Sequence, residues 1–199
     1  MTPVVVWDVL GTLVEDPYAQ VPAWLGLSAA ELLEVKDPDA WVAFERGAID
    51  EAEFAARFFR DRRPWDAAAL FARIRESYAW RPGAEALLRG LDATGVEMHA
   101  CSNYPSWYRW IEARLGLTRY LPWSFVSCHT GHRKPEAAAF THLLSELELD
   151  PGAVLFVDDQ RANREAAEAQ GIEAFDPARL DSLGDALRAA LRRRGATVS

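Results

Sequence analysis

Apolar residues in this chain gather into five short segments, separated by longer stretches in which they recur every three or four positions. The first run is Pro3–Asp8, where Val4, Val5, Val6 and Trp7 follow one another with no polar residue between them. Such a run predicts a strand buried on both faces. Val96–Ser102, Trp123–Cys128, Ala153–Val157 and, more weakly, Ile172–Phe175 read the same way. Helical patterns lie between them, over Pro82–Leu91, Trp107–Leu115, Pro135–Leu147 and Arg161–Gln170. Gly116 and Gly171 stand where C-caps are expected, and Pro135 at a first helical position. Strands alternating with helices predict an α/β fold, a doubly wound parallel sheet with helices on both faces.

The stretch Pro17–Trp80 breaks the alternation and carries no strand pattern. Ser28 to Glu31 and Asp50 to Glu53 have the form of capping boxes, and Asp37-Pro38 that of an N-cap followed by an N1 proline. Trp41, Phe44, Ile49, Phe54, Phe58 and Phe59 recur at helical spacing. The expectation is a core of residues 1–15 and 81–199 with a small all-helical cap, residues 16–80, inserted as a lid.

The chain has 199 residues, half of them hydrophobic, and Lys plus Arg against Asp plus Glu is 22 against 30, a net charge of −8. That balance argues against nucleic acid or an anionic membrane as partner. The one basic run, Arg192–Arg194, follows the helical pattern of Leu183, Leu187 and Leu191, where cations suit a helix C-terminus. No stretch reaches the ~18 apolar residues of a membrane span, and no basic segment precedes the first apolar run, as a signal peptide requires. Two cysteines, Cys101 and Cys128, without a CxxC, make no disulfide framework. A reducing, cytoplasmic location is expected, with an organellar form also compatible. The oligomeric state leaves no mark on the sequence.

Ligands of open α/β sheets bind at the C-terminal strand ends. The first strand ends in Asp8, with Gly11-Thr12 in the turn, and the second in Ser102-Asn103. Lys134 precedes the Pro135 helix, and the fourth strand ends in Asp158-Asp159. Each piece alone has an ordinary use as a turn, cap or solvated residue. Together they form an oxygen-rich set suited to Mg²⁺ and a substrate phosphate, with Lys134 and the Ser-Asn pair free to hold phosphate oxygens. An aspartate in line with that phosphorus forms an aspartyl-phosphate. His129 and His132 make no HxxxH or HExxH pattern, so zinc is not expected.

In this order the motifs resemble the haloacid dehalogenase (HAD) superfamily: Asp8-Val-Leu-Gly-Thr12, Ser102-Asn103, Arg133-Lys134-Pro135, and Val157-Asp158-Asp159 with Asn163. The stretch Phe44–Phe54 resembles a recurring cap signature. Asp16-Pro17, Ser102–Tyr108, Trp123-Ser-Phe, Ser127-Cys128 and Gly131–Lys134 resemble more narrowly the plant chloroplast FMN hydrolases of that superfamily and their bacterial relatives. The resemblance implies a HAD-like core with a helical cap and a hydrolase acting on a small phosphorylated metabolite, FMN foremost. It implies Asp8 as nucleophile assisted by Lys134, and Mg²⁺ held by Asp8, the Leu10 backbone carbonyl and Asp158. Thr12, Ser102, Asn103 and Lys134 would bind substrate, and Asp159 would hold Lys134 or a metal-bound water.

One position departs from the superfamily pattern. Most of its phosphatases carry a second aspartate two residues after the nucleophile, as general acid and base; here that residue is Leu10. Its loss ordinarily costs ~10²–10⁴-fold in rate. The FMN hydrolases resemble this chain in having an aliphatic residue there. Glu15, Asp16 and His132 are the nearby candidates for a substitute. Haloacid dehalogenases also lack the second aspartate but do not carry the double Asp of the fourth motif, which favours phosphoryl chemistry here. A non-catalytic phosphate-binding protein is the third reading. Trp24, Trp41, Trp65, Tyr78 and Trp80 are read first as core of the helical segment and otherwise as stacking partners for an aromatic ligand. Tyr104 is expected to reach the ligand, and Trp107 and Trp110 to pack helix against sheet.

Overall fold

In the computed structural model, which describes residues 3–178 and 180–196, five parallel strands form one sheet in the order β3-β2-β1-β4-β5. They are β1 (Val4–Trp7), β2 (Glu97–Ser102), β3 (Phe125–Val126), β4 (Val154–Val157) and β5 (Glu173–Phe175). Side chains alternate between faces along a strand, so β1 feeds two apolar layers. Val5 and Trp7 join Met98, Ala100, Leu155 and Val157 in one layer. Val4 and Val6 join Cys101, Phe125, Val154 and Phe156 in the other. With both faces covered, every residue of β1 and β4 is buried, which is why neither shows polar alternation.

Eleven helices are described. The first five, all before residue 80, are α1 (Val21–Trp24), α2 (Ala29–Val35), α3 (Ala40–Glu45), α4 (Glu51–Arg57) and α5 (Ala67–Ser77). The others are α6 (Ala84–Asp92), α7 (Tyr108–Leu115), α8 (Ser127–Thr130), α9 (Ala137–Leu147), α10 (Arg161–Ala169) and α11 (Leu180–Arg193). Leu88 and Leu91 of α6, Ile111 of α7 and Leu183, Leu187 and Leu191 of α11 cover one face of the sheet. Phe140 and Leu143 of α9 and Ala167 of α10 cover the other. The α1–α5 segment adds Phe44, Phe54, Leu70, Phe71 and Ile74 to the first of these layers, so it shares one continuous core with the sheet.

Local signals hold in most places. Ser28 and Glu31 complete a capping box on α2. Asp37 accepts from the N–H groups of Asp39 (2.9 Å) and Ala40 (3.1 Å) at the start of α3. Asp50 accepts from Glu53 N–H at 2.8 Å, but the Glu53 carboxylate faces Arg57 instead of closing a box. Gly116 ends α7 in the left-handed region. Two boundaries differ from expectation. The Trp123–Cys128 run yields only two strand residues, because Ser127 starts α8 and its hydroxyl accepts from Tyr104 N–H at 3.0 Å and donates to the Glu45 carbonyl. Pro135 is not the first residue of α9: Glu136 N–H donates to Arg133 C=O at 3.0 Å, closing a turn before α9 opens at Ala137.

Candidate active site

Register brings the predicted residues together. Trp7 pairs with Ala100 on one side and Val157 on the other. The next residues of the three strands, Asp8, Cys101 and Asp158, therefore share one line across the C-terminal edge. Lys134 lies over that line, and its ammonium spends three donors on it. Nζ is 2.7 Å from Asp8 Oδ1, 2.7 Å from the Cys101 carbonyl and 2.6 Å from Asp158 Oδ2. Lys134 is 1% exposed and Asp158 0%, so this is a buried ion triad. Burial works to lower the Lys134 pKa, but Asp8 and Asp158 outweigh it and hold the group well above its ordinary value. Burial pushes the Asp8 carboxyl up, with Lys134 pulling it back and the charge of Asp158 adding to the rise.

Thr12, expected to bind substrate, is fully buried and committed elsewhere. Its hydroxyl donates to Asp8 Oδ2 at 2.9 Å and accepts from Asp159 N–H at 3.1 Å. It fixes the carboxylate rather than meeting a ligand. Of the two partners expected for Asp159, Lys134 is taken by its neighbour: Nζ bonds Asp158, and no hydrogen bond joins Lys134 to Asp159. The Asp159 side chain turns instead toward the loop after β1. Its Oδ2 accepts from Gln160 Nε2 at 2.8 Å and lies 2.6 Å from where a Cβ on Gly11 would stand. Gly11 has φ +81°, so both its conformation and this approach require glycine.

Asn103 does more than line a pocket. Its Nδ2 donates to the Lys134 carbonyl at 2.7 Å and its Oδ1 accepts from Lys134 N–H at 2.8 Å, a two-bond clamp on the lysine backbone. Ser102 is 3% exposed and lines the cavity. Asn163 Nδ2 lies 3.0 Å from each Asp158 oxygen, and Gln160 N–H donates to Asp158 Oδ1 at 2.8 Å.

Two arginines of the site escape sequence reasoning. Arg164 Nη1 donates to the carbonyls of Asp158 and Asp159, each at 2.8 Å, while Nη2 pairs with Asp176 at 2.7 Å. Arg81 Nη1 donates to the Gly11 carbonyl at 2.6 Å and the Thr12 carbonyl at 3.2 Å. A third contact, Arg133 Nε to the nearly buried Glu45 at 2.6 Å, ties α3 to the residue before Lys134. Arg81 and Arg133 meet partners about 70 and 88 residues away, and Arg164 meets carbonyls five and six residues back in no motif, so spacing carried no signal for them.

Asp8, Asp158 and Asp159 each offer a carboxylate oxygen, and the three oxygens lie within 4.8 Å of one another. Leu10 lines the same cavity, and its carbonyl accepts none of the backbone hydrogen bonds that shape the loop. An all-oxygen donor set of this size fits a hard divalent cation. It differs from the expected Asp8, Leu10 and Asp158 by adding Asp159.

A cavity of about 390 Å³ opens over these residues. Trp41, Phe54, Phe58 and Trp107 contribute an aromatic wall, and Leu70 and Ile74 an aliphatic one. Of Trp24, Trp41, Trp65, Tyr78 and Trp80, Trp41 alone lines it. Tyr78 is fully buried, its hydroxyl 2.6 Å from that of Tyr104. Tyr104 and Trp107, both buried, also border the cavity, so Trp107 both packs and lines. Among the three candidates for a substitute acid, Asp16 is in the lining, while Glu15 and His132 are not.

Comparison with known proteins agrees with this geometry. The family model described as a haloacid dehalogenase-like hydrolase matches residues 2–171. The chain is 40% identical over 182 residues to the chloroplastic flavin mononucleotide hydrolase 1 of Arabidopsis thaliana, covering 91% of this chain and 74% of that protein. It is 33% identical over 141 residues to ribulose-1,5-bisphosphate 5-phosphatase of Halopiger xanaduensis, covering 66% of this chain and 59% of that one. A HAD family enzyme of Bacteroides thetaiotaomicron, crystallised with magnesium and inorganic phosphate, superposes with a TM-score of 0.69 at 17% identity, covering 88% of this chain and 94% of that one. That likeness is one of fold.

Proposed function

The chain belongs to the haloacid dehalogenase-like hydrolases, and from that premise we propose that it is a magnesium-dependent phosphomonoesterase whose substrate is FMN. The observation that carries the reading is the convergence of Asp8, Lys134 and the Asp158-Asp159 pair on one cavity at the C-terminal edge of the sheet. Asp8, Asp158, Asp159 and the Leu10 carbonyl would hold Mg²⁺. Bound there, the ion neutralises charge on the phosphoryl group as it is transferred.

The chain's own residues divide the remaining work. Asp8, oriented by Thr12, attacks phosphorus and forms the aspartyl-phosphate. Lys134 bonds both Asp8 and Asp158 and offers a positive charge to the phosphoryl oxygens once a metal shares the load. Asn103 sets the position of Lys134, and Ser102 presents its hydroxyl to the phosphate. We assign residues 16–80 the role of a cap that closes the cavity and selects the organic part of the substrate.

The choice of FMN rests on the similarity to the plant FMN hydrolase and on the cavity's aromatic wall, whose volume lies in the ~300–1,000 Å³ range of small-molecule sites. No helix among the described residues is long and apolar enough to cross a membrane. Cys101 and Cys128 are free thiols, which suits the cytoplasmic location we propose.

A screen of phosphate release from phosphorylated metabolites with and without Mg²⁺ tests the reading. FMN turnover that requires Mg²⁺ and is lost in Asp8→Asn supports it. Halide release from 2-chloropropionate without metal, or saturable FMN binding without turnover, contradicts it.

A further inference from the structure

With Leu10 in place of the usual acid, the loop after β1 sends no other proton donor into the cavity: the Thr12 hydroxyl is bonded to Asp8, Leu13 and Val14 are buried in the core, and Glu15 is exposed outside the cavity lining. The chain re-enters the cavity at Asp16, whose side chain lines it together with those of Asp8, Asn103 and Lys134. Asp16 Oδ1 accepts from Tyr18 N–H at 2.9 Å as the cap of the short turn Pro17–Gln20. Oδ2 takes no hydrogen bond among the described residues.

No ion pair among the described residues involves Asp16, so no cation ties up its second oxygen. The hydroxyls of Tyr78 and Tyr104 feel its charge and are bonded to each other. Lys36, the cation at this end of the cavity, donates to Tyr18 Oη at 2.8 Å rather than to Asp16. Asp8 and Asp159 line the same cavity. Asp16 is an exposed residue, yet crowding by neighbouring atoms raises its pKa, with the Tyr18 N–H pulling the other way.

Resting on the phosphomonoesterase reading, we propose that Asp16 is the catalytic acid and base of this enzyme, doing from the far side of the loop what Leu10 cannot. In the first half-reaction the Asp8 carboxylate forms a bond to phosphorus as the ester P–O bond breaks. The electron pair leaves on the ester oxygen, which takes the proton of the Asp16 carboxyl and departs as the alcohol. In the second, water adds to phosphorus and gives a proton to the Asp16 carboxylate. The Asp8–phosphorus bond breaks, returning both residues to their starting states.

The test compares kcat/KM for FMN, whose ribityl alkoxide needs a proton to leave, with that for 4-nitrophenyl phosphate, whose phenolate does not. Both are measured with Mg²⁺, on the wild type, Asp16→Asn and Asp16→Ser. The serine keeps the turn capped without an acid, so a folding defect peculiar to the asparagine does not decide the outcome. If a different alkyl monoester proves the better substrate, it replaces FMN in the ratio. The expected result is a rise of about 100-fold or more in the aryl-to-alkyl ratio in both variants, the scale of one general acid. In Leu10→Asp/Asp16→Asn the ratio falls back by about 10-fold or more. A ratio that Asp16 substitution leaves unchanged overturns the role of Asp16 and leaves the phosphatase reading standing. A wild type that hydrolyses neither class of monoester overturns both.

Discussion

Lys134 Nζ lies 2.6 Å from Asp158 Oδ2, and the same ammonium reaches Asp8 at 2.7 Å, so one cation neutralises two strand ends at once. Breaking a buried pair by removing one partner costs about 3–5 kcal/mol. For a chain of this size that is a fall in Tm of about 6–20 °C. Lys134→Met is expected to melt lower by that amount. Mg²⁺ should raise the Tm of the variant more than that of the wild type, because the ion replaces the missing charge between the carboxylates. Thermal melts with and without Mg²⁺ check this, and an equal metal response in both proteins contradicts it.

The same triad sets an alkaline limb. The folded pKa of Lys134 is raised above its unfolded value of about 10.4. The stability it contributes is therefore fully present below that pH and lost as pH rises through the folded value. Wild-type Tm should fall more steeply above about pH 10.4 than that of Lys134→Met.

Gly11→Ala tests the approach of the first loop to Asp159. The added Cβ would stand 2.6 Å from Asp159 Oδ2 at a φ of +81°, so either the loop or the carboxylate must move. A displacement near 1 Å at a reacting centre costs on the order of 10²-fold. A loss of about that size in kcat/KM is expected, with a weaker Mg²⁺ activation constant.

Arg164→Ala should loosen the Asp158-Asp159 turn without touching any carboxylate of the cluster. Its guanidinium ties down two carbonyls and reaches Asp176 across from α10. Loss of such an outer support costs about 10–100-fold in metal affinity or activity. Mg²⁺ titration of the turnover rate measures it, and an unchanged activation constant counts against the metal site.

The sheet was legible because β1 and β4 are buried on both faces, so Val4–Trp7 and Val154–Val157 read as unbroken apolar runs. Asp8 and Asp158 are legible because parallel register sends strand ends to one edge, and Lys134 through its place in Arg133-Lys134-Pro135. The edge strand β3 was over-read, since Phe125 and Val126 continue into a helical turn that Ser127 bonds in place. The spacing of Thr12 gives no hint that both Asp8 and Asp159 claim its hydroxyl. The exchange of Asp158 for Asp159 as partner of Lys134 turns on which side chain points inward at the strand end, which a dipeptide does not reveal. Arg81 and Arg164 sit 70 and 6 residues from backbone they clamp, at Gly11 and Asp158, with no motif to mark either.

Everything in the functional account depends on Asp8 becoming phosphorylated. The direct measurement is acid quench of the enzyme during turnover of FMN with Mg²⁺, borohydride reduction and peptide mass spectrometry. Reduction of an aspartyl-phosphate leaves homoserine, and the account predicts it at position 8, dependent on Mg²⁺ and absent without substrate. Phosphate release at the normal rate with Asp8 recovered wholly as aspartate, or homoserine formed at another carboxylate, would contradict it.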